Sequence, residues 1–267
     1  MIECGKTWQS QQRIKMDDSI IKIKNLKKIF GTKEILKDVN LEIVTGKCTA
    51  IFGLSGGGKS TIIKHIVGLL KPTSGEILYN GIDIGKLEKK ELREIRKDIG
   101  FLFQSGALFD SMNVFENVAF PLREHTKLNE KMIYQEVMDK LKLVGLDASR
   151  VASLNPDELS GGMRKRVGLA RTIILNPKVL LYDEPTSGLD PITSDVISQM
   201  IISLQKEIKT TSILISHDIN ETFKTADYFA MLYEGVIVEY GDLEHFKNSK
   251  LEIVQKFLHG DSSGVIN

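Results

Sequence analysis

The fold of this chain is decided by one stretch, Gly53-Leu54-Ser55-Gly56-Gly57-Gly58-Lys59-Ser60-Thr61. It matches G-x-x-x-x-G-K-[ST], the pattern of a loop whose backbone N–H groups surround phosphate oxygens. Glycine has no Cβ atom, and the four glycines therefore allow the tight turn and close approach that such a loop requires. We expect Lys59 to reach the β- and γ-phosphates of a nucleotide and the Ser60 hydroxyl to ligate Mg²⁺.

The residues on either side place this phosphate loop between a strand and a helix, as the pattern requires. Residues 48–52 (Cys-Thr-Ala-Ile-Phe) form a short apolar run of the kind found in buried strands. After the loop, apolar residues recur at helical spacing, namely Ile62, Ile63, Ile66, Val67 and Leu70. The alternative is a glycine-rich turn that matches the pattern by chance. Such a turn would not need a strand before it and a helix after it, so the two flanking patterns disfavour this alternative. The positive end of a helix that begins here would face the bound phosphates.

Composition indicates an ordinary globular protein. The 267 residues fit one large or two closely joined domains, and 42% of them are hydrophobic and 27% charged. A formal net charge of +1 argues against a protein that binds nucleic acid through bulk charge, and we predict no nucleic-acid partner. Only Cys4 and Cys48 are present, which indicates a reducing compartment rather than a disulfide framework.

The N-terminal residues show no targeting signal. Residues 1–17 are polar, without periodicity and without the apolar core of a signal peptide, and we interpret them as a flexible leader. No apolar run in the sequence approaches the ~18 residues of a membrane span. Any membrane role is therefore expected to come through a partner.

Strand-like and helix-like segments alternate along the chain, which favours an α/β core with a largely parallel sheet. Residues 105–156 show no strand pattern and include an amphipathic helix at 131–143, so we interpret them as a helical insertion. In parallel sheets the ligand lies at the carboxyl ends of the strands. Four positions come just after apolar strand patterns and are expected to meet in one crevice: Gly53, Gln104, Asp183 and His217.

Two acids, Asp183 and Glu184, end the apolar run at residues 179–182 and form what we call the acid pair. We expect Asp183 to hold Mg²⁺, directly or through water, and Glu184 to act as general base or to position the attacking water. The alternative is a helix cap or a surface pair, which the apolar run and the phosphate loop disfavour. His217 is expected to contact the γ-phosphate or the water, although a histidine at a strand end is also found in structural roles.

Taken together, these motifs resemble the ATPase subunit of ABC transporters. Their order over residues 20–241 is the phosphate loop, Gln104, the signature Leu159-Ser160-Gly161-Gly162-Met163, the acid pair, Ser187-Gly188-Leu189-Asp190 and His217. A Leu-Ser-Gly-Gly segment ahead of a strand with two acids is highly specific. The resemblance implies an α/β fold with a P-loop NTPase core of the ABC type. Such a core has a mostly parallel sheet, an N-terminal antiparallel β subdomain and an inserted helical subdomain.

The resemblance also implies how ATP and Mg²⁺ are bound. Two copies of the chain would clamp two ATP molecules head to tail, with the phosphate loop of one copy facing the signature of the other. The further ATP-binding residues that it implies are Phe30, Ser160, Gly161, Gly162 and Asp190. Phe30 would stack on adenine, and the alternative for it is a core aromatic. Gln104 would sense Mg²⁺ in the catalytic site and couple it to the transmembrane partner.

One position departs from the family pattern. The usual signature ends in glutamine, whereas this chain has Met163. A thioether cannot make the hydrogen bonds of an amide. The departure puts a polar role of this fifth position in doubt, but not the roles of Ser160 and Gly162.

A narrower resemblance is to the ATPases of Mla phospholipid transport systems. It rests on residues 104–109 (Gln-Ser-Gly-Ala-Leu-Phe), 113–119 (Asn-Val-Phe-Glu-Asn-Val-Ala) and 121–126 (Pro-Leu-Arg-Glu-His-Thr), with the signature and residues 190–193. It implies an energy-coupling ATPase homodimer at the cytoplasmic face of the inner membrane, in a complex that moves phospholipid between bacterial inner and outer membranes. The implied partners are transmembrane permease subunits, a periplasmic MCE-domain protein and often a STAS-domain regulator.

On this basis we divide the chain into three parts. They are the leader (1–17), an ABC ATPase nucleotide-binding domain (18–243) with a helical subdomain at about 105–165, and a C-terminal extension (244–267). A helix over 251–258 is expected to turn Leu251, Val254, Phe257 and Leu258 inward. It packs either on its own domain or on the second subunit.

Three other functions compete with phospholipid transport. The first is an ABC importer ATPase for another solute, such as an amino acid, for which residues 105–123 discriminate because the permease would dock there. An ABC ATPase of DNA repair or translation usually carries a second fused domain or a long coiled coil, and this chain has neither. A small-molecule phosphotransferase has no use for the signature.

Overall fold

The computed structural model describes residues 19–259, apart from the side chains at positions 220 and 221. The expected leader at 1–17, Cys4 and the part of the C-terminal extension beyond residue 259 lie outside the described residues.

The described residues form one mixed sheet of ten strands. The strands are β1 (Ser19–Phe30), β2 (Lys33–Val44), β3 (Cys48–Gly53), β4 (Ser74–Tyr79), β5 (Ile82–Asp83), β6 (Ile99–Leu102), β7 (Val179–Asp183), β8 (Thr211–Ile215), β9 (Tyr228–Tyr233) and β10 (Val236–Gly241). Their spatial order is β5-β4-β1-β2-β10-β9-β3-β8-β7-β6. Strands β9, β3, β8, β7 and β6 run parallel, whereas β1, β2, β4 and β5 pair antiparallel. The predicted parallel core and antiparallel β subdomain are thereby confirmed.

The described residues also form ten α-helices. They are α1 (Lys59–Ile66), α2 (Lys89–Lys97), α3 (Val114–His125), α4 (Glu130–Leu143), α5 (Ala148–Val151), α6 (Gly161–Ile173), α7 (Pro191–Ile208), α8 (Ile219–Thr225), α9 (Leu243–Lys247) and α10 (Glu252–His259). Within residues 19–259, none of these helices combines the length and the apolar composition needed to cross a membrane.

The central strands are buried on both faces, as their continuous apolar sequences predict. Every residue of β3, β7 and β8 is buried. On β7, Leu180 and Tyr182 pack into the same apolar cluster as α3, α4 and α6. Val179 and Leu181 point to the opposite face and pack with α1 and the antiparallel strands. The carboxyl ends of these strands are therefore held rigidly between two cores.

The helical insertion consists of α3, α4 and α5, and α6 packs against it. Its core is formed by buried residues from each helix, among them Val118, Val137, Val151 and Val167. The helix predicted at 131–143 is α4, which begins after Asn129, whose side chain caps the N–H of Met132 at 3.0 Å. The inserted helical subdomain is therefore confirmed, and α3 is an element that the periodicity did not identify.

The C-terminal helices pack on the domain from which they emerge, as far as residue 259. Val254 is buried, and Phe246 and Phe257 lie against Phe52, with ring centroids 6.2 and 5.8 Å away. The prediction that Leu251 points inward is wrong, because its side chain is 40% exposed. Leu251 precedes the first turn of α10, and its carbonyl, rather than its side chain, serves the helix by accepting from Gln255 at 3.1 Å.

Candidate active site

The phosphate loop joins the buried end of β3 to the first turn of α1. Gly53 has a φ of +142°, and a Cβ there would lie 2.2 Å from the backbone oxygen of Leu232 on β9. Gly58 has a φ of +104°, and a Cβ there would come within 2.9 Å of the side chains of Ile35 and Leu36. Only glycine fits at either position, so the path of the loop depends on the missing side chains.

Lys59 is buried, and its ammonium group folds back onto the loop. Nζ donates to the carbonyl oxygens of Gly53 and Leu54, both at 2.9 Å. Burial lowers the pKa of Lys59, and the carboxylates of Glu184 and Asp183 act in the opposite direction. The acid pair therefore helps to keep a cation under the loop, where phosphate oxygens would compete with two carbonyls for it.

Ser60 and Asp183 place two oxygen ligands side by side. The Ser60 hydroxyl donates to Oδ1 of Asp183 at 2.8 Å. Burial raises the pKa of Asp183, the hydrogen bond from Ser60 lowers it, and the charge of Glu184 raises it further. Within residues 19–259 there is no group of three or more His, Cys, Asp or Glu residues that could hold a metal ion. Because Mg²⁺ is usually bound by one or two carboxylates together with substrate phosphates, this donor set fits a Mg²⁺ ion that arrives with a nucleotide.

Glu184 lies where the strand ends converge. Its Oε2 accepts from Nε2 of Gln104 at 3.2 Å and lies 3.6 Å from Nδ1 of His217. Gln104 also donates to the Ser187 hydroxyl at 3.1 Å. The backbone of Glu184 has a φ of +49°, and its N–H donates to the oxygen of Ile215 at 2.9 Å. The structure therefore brings together the side chains that follow β6, β7 and β8, next to the loop that follows β3.

An open cavity of about 250 Å³ lies against the phosphate loop. Its lining residues are Phe30, Ile35, Gly56, Gly58, Lys59, Ser60, Thr61 and Glu184. Phe30, at the end of β1, is 46% exposed, and Nζ of Lys28 lies 4.9 Å from the centroid of its ring. The alternative that Phe30 is a core aromatic is therefore wrong. The lining of the cavity therefore combines an exposed aromatic ring with residues of the phosphate loop, one of which is the cation Lys59.

The signature residues occupy a different part of the surface. Ser160 caps the start of α6, where its hydroxyl accepts from the N–H of Met163 at 3.3 Å. A Cβ on Gly162 would lie 2.6 Å from Cγ2 of Thr193, so the signature packs on the segment that contains Asp190. Asp190 caps α7 and accepts from the Thr193 hydroxyl at 2.6 Å. Among the described residues, the lining of the cavity includes neither the signature nor Asp190.

Met163 packs as an apolar side chain. It is partly buried against the apolar cluster of the helical insertion. The fifth position of the signature therefore has a packing role here, in keeping with the chemistry of a thioether.

The comparison with known proteins decides the family. The family model described as ABC transporter matches residues 36–187. The chain belongs to the ABC transporter family. It is therefore an ATP-binding ATPase.

Several relatives of this ABC ATPase match over nearly the whole chain. The ATP-binding protein MlaF of the intermembrane phospholipid transport system of Haemophilus influenzae is 45% identical over 94% of both chains. The Escherichia coli K12 protein of the same name is 39% identical over 94% of both chains. A Mycobacterium leprae protein named as a probable ribonucleotide transport ATP-binding protein, mkl, is 45% identical over 92% of this chain and 70% of its own.

Solved structures confirm the ABC ATPase fold. The ATP-binding cassette MJ0796, in a dimeric post-hydrolysis state with ADP and Pi, superposes with a TM-score of 0.77 at 35% identity. It covers 84% of this chain and 98% of its own. The cbiO1 protein from Clostridium perfringens, part of the ABC transporter complex cbiONQ, gives a TM-score of 0.78 at 33% identity over 91% and 96% of the two chains.

Sequence reasoning assigns no site role to Lys165 or Ser187, although both contact the residues around the acid pair. Ser187 accepts from Gln104, and Lys165 donates to the backbone oxygen of Glu184 at 3.3 Å. Ser187 belongs to the family motif at residues 187–190, so a place near the site could have been inferred for it from the sequence. Lys165 is one of three consecutive cations and looks like part of a solvated helix face, so nothing in the pattern marks it.

Proposed function

We propose that this ABC ATPase is the energy-coupling subunit of a membrane complex that moves phospholipids between the inner and outer membranes of a bacterium. The observation that carries this proposal is the 45% identity to MlaF of Haemophilus influenzae over 94% of both chains. The mycobacterial relative is as similar per residue but matches only 70% of its own length. Correspondence over 94% of both chains favours the phospholipid system over transport of a ribonucleotide or an amino acid.

In the proposed mechanism, the chain binds the phosphates of ATP and prepares a water molecule for attack on the γ-phosphorus. The backbone of residues 53–61 and the ammonium group of Lys59 hold the phosphate oxygens, and Phe30 stacks on the adenine ring. Glu184 accepts a proton as the oxygen of the water bonds to phosphorus. The bond from the γ-phosphorus to the bridging oxygen breaks, and ADP and phosphate leave. Gln104 and His217 hold the carboxylate and the water in position.

Mg²⁺ would be held by Ser60 and Asp183, with Gln104 close by. An ion held there would supply positive charge that offsets the charge of the phosphates. The chain's own contribution is to hold the Ser60 hydroxyl and the Asp183 carboxylate 2.8 Å apart.

A second copy of the chain would complete the site. Ser160, Gly161 and Asp190 are exposed, and the signature contributes nothing to the cavity among the described residues. The MJ0796 cassette, 35% identical, is dimeric in its structure with ADP and Pi. In a head-to-tail dimer, the signature residues Ser160, Gly161 and Gly162 of one copy close over the ATP held by the other, and Asp190 lines the shared interface.

The assembly that we propose lies at the cytoplasmic face of the inner membrane. The nucleotide-binding domain (18–243), with its helical subdomain at about 105–165, would dock on permease subunits through residues 105–123. A periplasmic MCE-domain protein and a STAS-domain regulator would belong to the same complex.

Replacing Phe30 by alanine is expected to weaken ATP binding about 10-fold, because stacking of one base on an aromatic ring contributes roughly 1–3 kcal/mol. The loss should be similar for GTP, since every base has a π-face. Binding of ATP and GTP to the full chain, measured by fluorescence titration, checks this. Tyr134→Ala, which removes an aromatic ring that is 54% exposed on α4, should leave both affinities unchanged. Unchanged affinity in Phe30→Ala would contradict the stacking role.

The cargo is tested by purifying the complex through a tag on the full chain and identifying the bound small molecules by mass spectrometry. We expect phospholipid in the wild-type complex at a defined ratio to the protein. A sample of the same detergent and membranes without the tagged chain gives the background. A ribonucleotide or an amino acid in place of phospholipid would favour the importer alternative.

A further inference from the structure

Lys165 lies on α6 at the point where this helix meets the acid pair. The residue is only 5% exposed, and its ammonium group reaches two carbonyl oxygens of other elements. Nζ donates to the oxygen of Gln104, just after β6, and to the oxygen of Glu184 at 3.3 Å, just after β7. The Lys165 side chain thus joins the signature helix α6 to the backbones of Gln104 and Glu184, the two residues whose side chains contact each other in the site.

The backbone of Glu184 has a conformation that needs anchoring. Its φ of +49° is unfavourable for a residue with a Cβ atom. The N–H of Glu184 donates to Ile215, and its carbonyl oxygen accepts from the N–H of Ser187 at 3.2 Å within the same turn and from Lys165 at 3.3 Å. Without Lys165 the carbonyl keeps only the bond from Ser187, which moves with the same turn, so a shift of this turn relative to α6 would move the carboxylate away from Gln104 and His217.

Charge also favours this arrangement. Burial lowers the pKa of Lys165, and the carboxylates of Glu184 and Asp183 oppose that effect. Lys59 experiences the same two carboxylates. The ammonium groups of Lys59 and Lys165 therefore both lie in the field of the acid pair, and Lys64 adds a further positive charge that acts on Asp183.

We propose that Lys165 is a positioning residue for ATP hydrolysis, which fixes the Glu184 carboxylate and the Gln104 amide relative to each other and to the signature helix. This inference rests on the proposed role of Glu184 as the base. Ser160 begins the same helix about 7.5 Å along its axis from Lys165. Displacement of α6 by a partner or by a nucleotide at Ser160 would therefore change the position of the base directly.

Arg171 on the same helix provides a comparison that separates two effects. Its Nη2 donates to the oxygens of Gly106 and Ala107, both at 2.9 Å, and so anchors the loop after Gln104 to α6. Within the described residues, none of its hydrogen bonds reaches Gln104 or Glu184. Loss of Arg171 therefore tests the anchoring of this loop without the contact to Glu184.

The experiment uses the complex purified through a tag on the full chain and measures kcat, KM for ATP, ATP affinity and the midpoint of thermal unfolding. Lys165→Met is expected to lower kcat on the order of 10²-fold, because a base displaced by about 1 Å loses that much. ATP affinity should stay within about twofold, since the phosphate loop is not contacted by Lys165. Lys165→Arg should recover at least about 10-fold, because a guanidinium also donates to two carbonyls.

Lys178→Met is the matched control, since it removes an exposed lysine that donates to Asp98 at 2.8 Å, and it should keep the wild-type kcat. The inference is overturned by any of three outcomes. They are a kcat of Lys165→Met within about threefold of wild type, a loss of ATP affinity that accounts for the loss of rate, or an equal loss of kcat in Arg171→Met. If Lys165→Met does not fold, Lys165→Leu, which also has no hydrogen-bond donor, replaces it under the same criteria.

Glu184→Gln is measured in the same series to separate this inference from the proposal on which it rests. If Glu184→Gln is inactive and Lys165→Met is active, Lys165 is not a positioning residue although Glu184 is the base. If Glu184→Gln is itself active, the assignment of the base fails.

Discussion

Glu184→Gln is expected to bind ATP and to lose its turnover, with a fall in kcat of about 10²- to 10⁴-fold, the range that a general base contributes. The substitution changes one oxygen into an amide nitrogen and keeps the shape of the side chain. The amide oxygen of the new residue can still accept from Nε2 of Gln104, which lies 3.2 Å from Oε2 now. The proton of the attacking water, however, no longer has an acceptor with a negative charge.

Because the phosphate loop is untouched by this change, ATP affinity should remain near that of the wild type. A nucleotide that binds but does not turn over should also hold two copies of the chain together. Phosphate release, equilibrium binding of ATP and size-exclusion chromatography with and without ATP measure these three properties. Hydrolysis at the wild-type rate would show that Glu184 is not the base.

The chain offers a matched control for this experiment. Glu234, in the turn between β9 and β10, also has a left-handed backbone, with a φ of +47°, and is exposed. Glu234→Gln makes the same chemical change on the same kind of backbone, but outside the site. It should leave ATP turnover unchanged, so a loss of rate in Glu184→Gln alone is chemical and not conformational.

The parts of the fold that the sequence predicts are those whose signals are local. The phosphate loop, its preceding strand and its following helix are read from residues 48–70, and the apolar runs at β7 and β8 are continuous because both faces of those strands are buried. Parallel topology then brings Gln104, Asp183 and His217 to one edge. The contacts of 3.2 and 3.6 Å around Glu184 follow from that topology.

Helix α3 shows how a local signal is overridden. Pro121 lies inside this helix, where proline removes a backbone hydrogen bond and usually ends the helix. The structure continues to His125 because Val118, Ala119 and Leu122 are buried in the helical insertion. The capping box of Asn113 and Glu116, a pattern visible in the sequence, would have located the start of the helix.

The environment of Lys165 could not be predicted for a different reason. Its two acceptors lie 61 and 19 positions away along the chain, and they come together only because β6 pairs with β7 and α6 packs across their ends. Three consecutive cations give no sign of which one is buried. The exposure of Phe30 and of Leu251 is likewise set by packing that acts between distant segments.

Lys59→Ala is expected to weaken ATP binding about 10- to 150-fold. The estimate follows from the loss of charge-assisted hydrogen bonds to phosphate, which contribute roughly 1.5–3 kcal/mol. The ammonium group is already in place, since it is held 2.9 Å from the oxygens of Gly53 and Leu54. ATP affinity is measured by titration with hydrolysis suppressed, together with the thermal unfolding midpoint, because the variant also leaves two carbonyls without this donor.

Lys140→Ala serves as the control for Lys59→Ala, because Lys140 lies on α4 and donates to Asn176 at 2.7 Å, and this variant should bind ATP like the wild type. Lys59→Met separates binding from folding, since it keeps the apolar stem of the side chain under the loop and removes only the charge. If binding depends on the cation, both variants at position 59 lose affinity to a similar extent whatever their stability. ATP affinity equal to that of the wild type in a folded Lys59→Met would mean that residues 53–61 do not hold the phosphates of ATP.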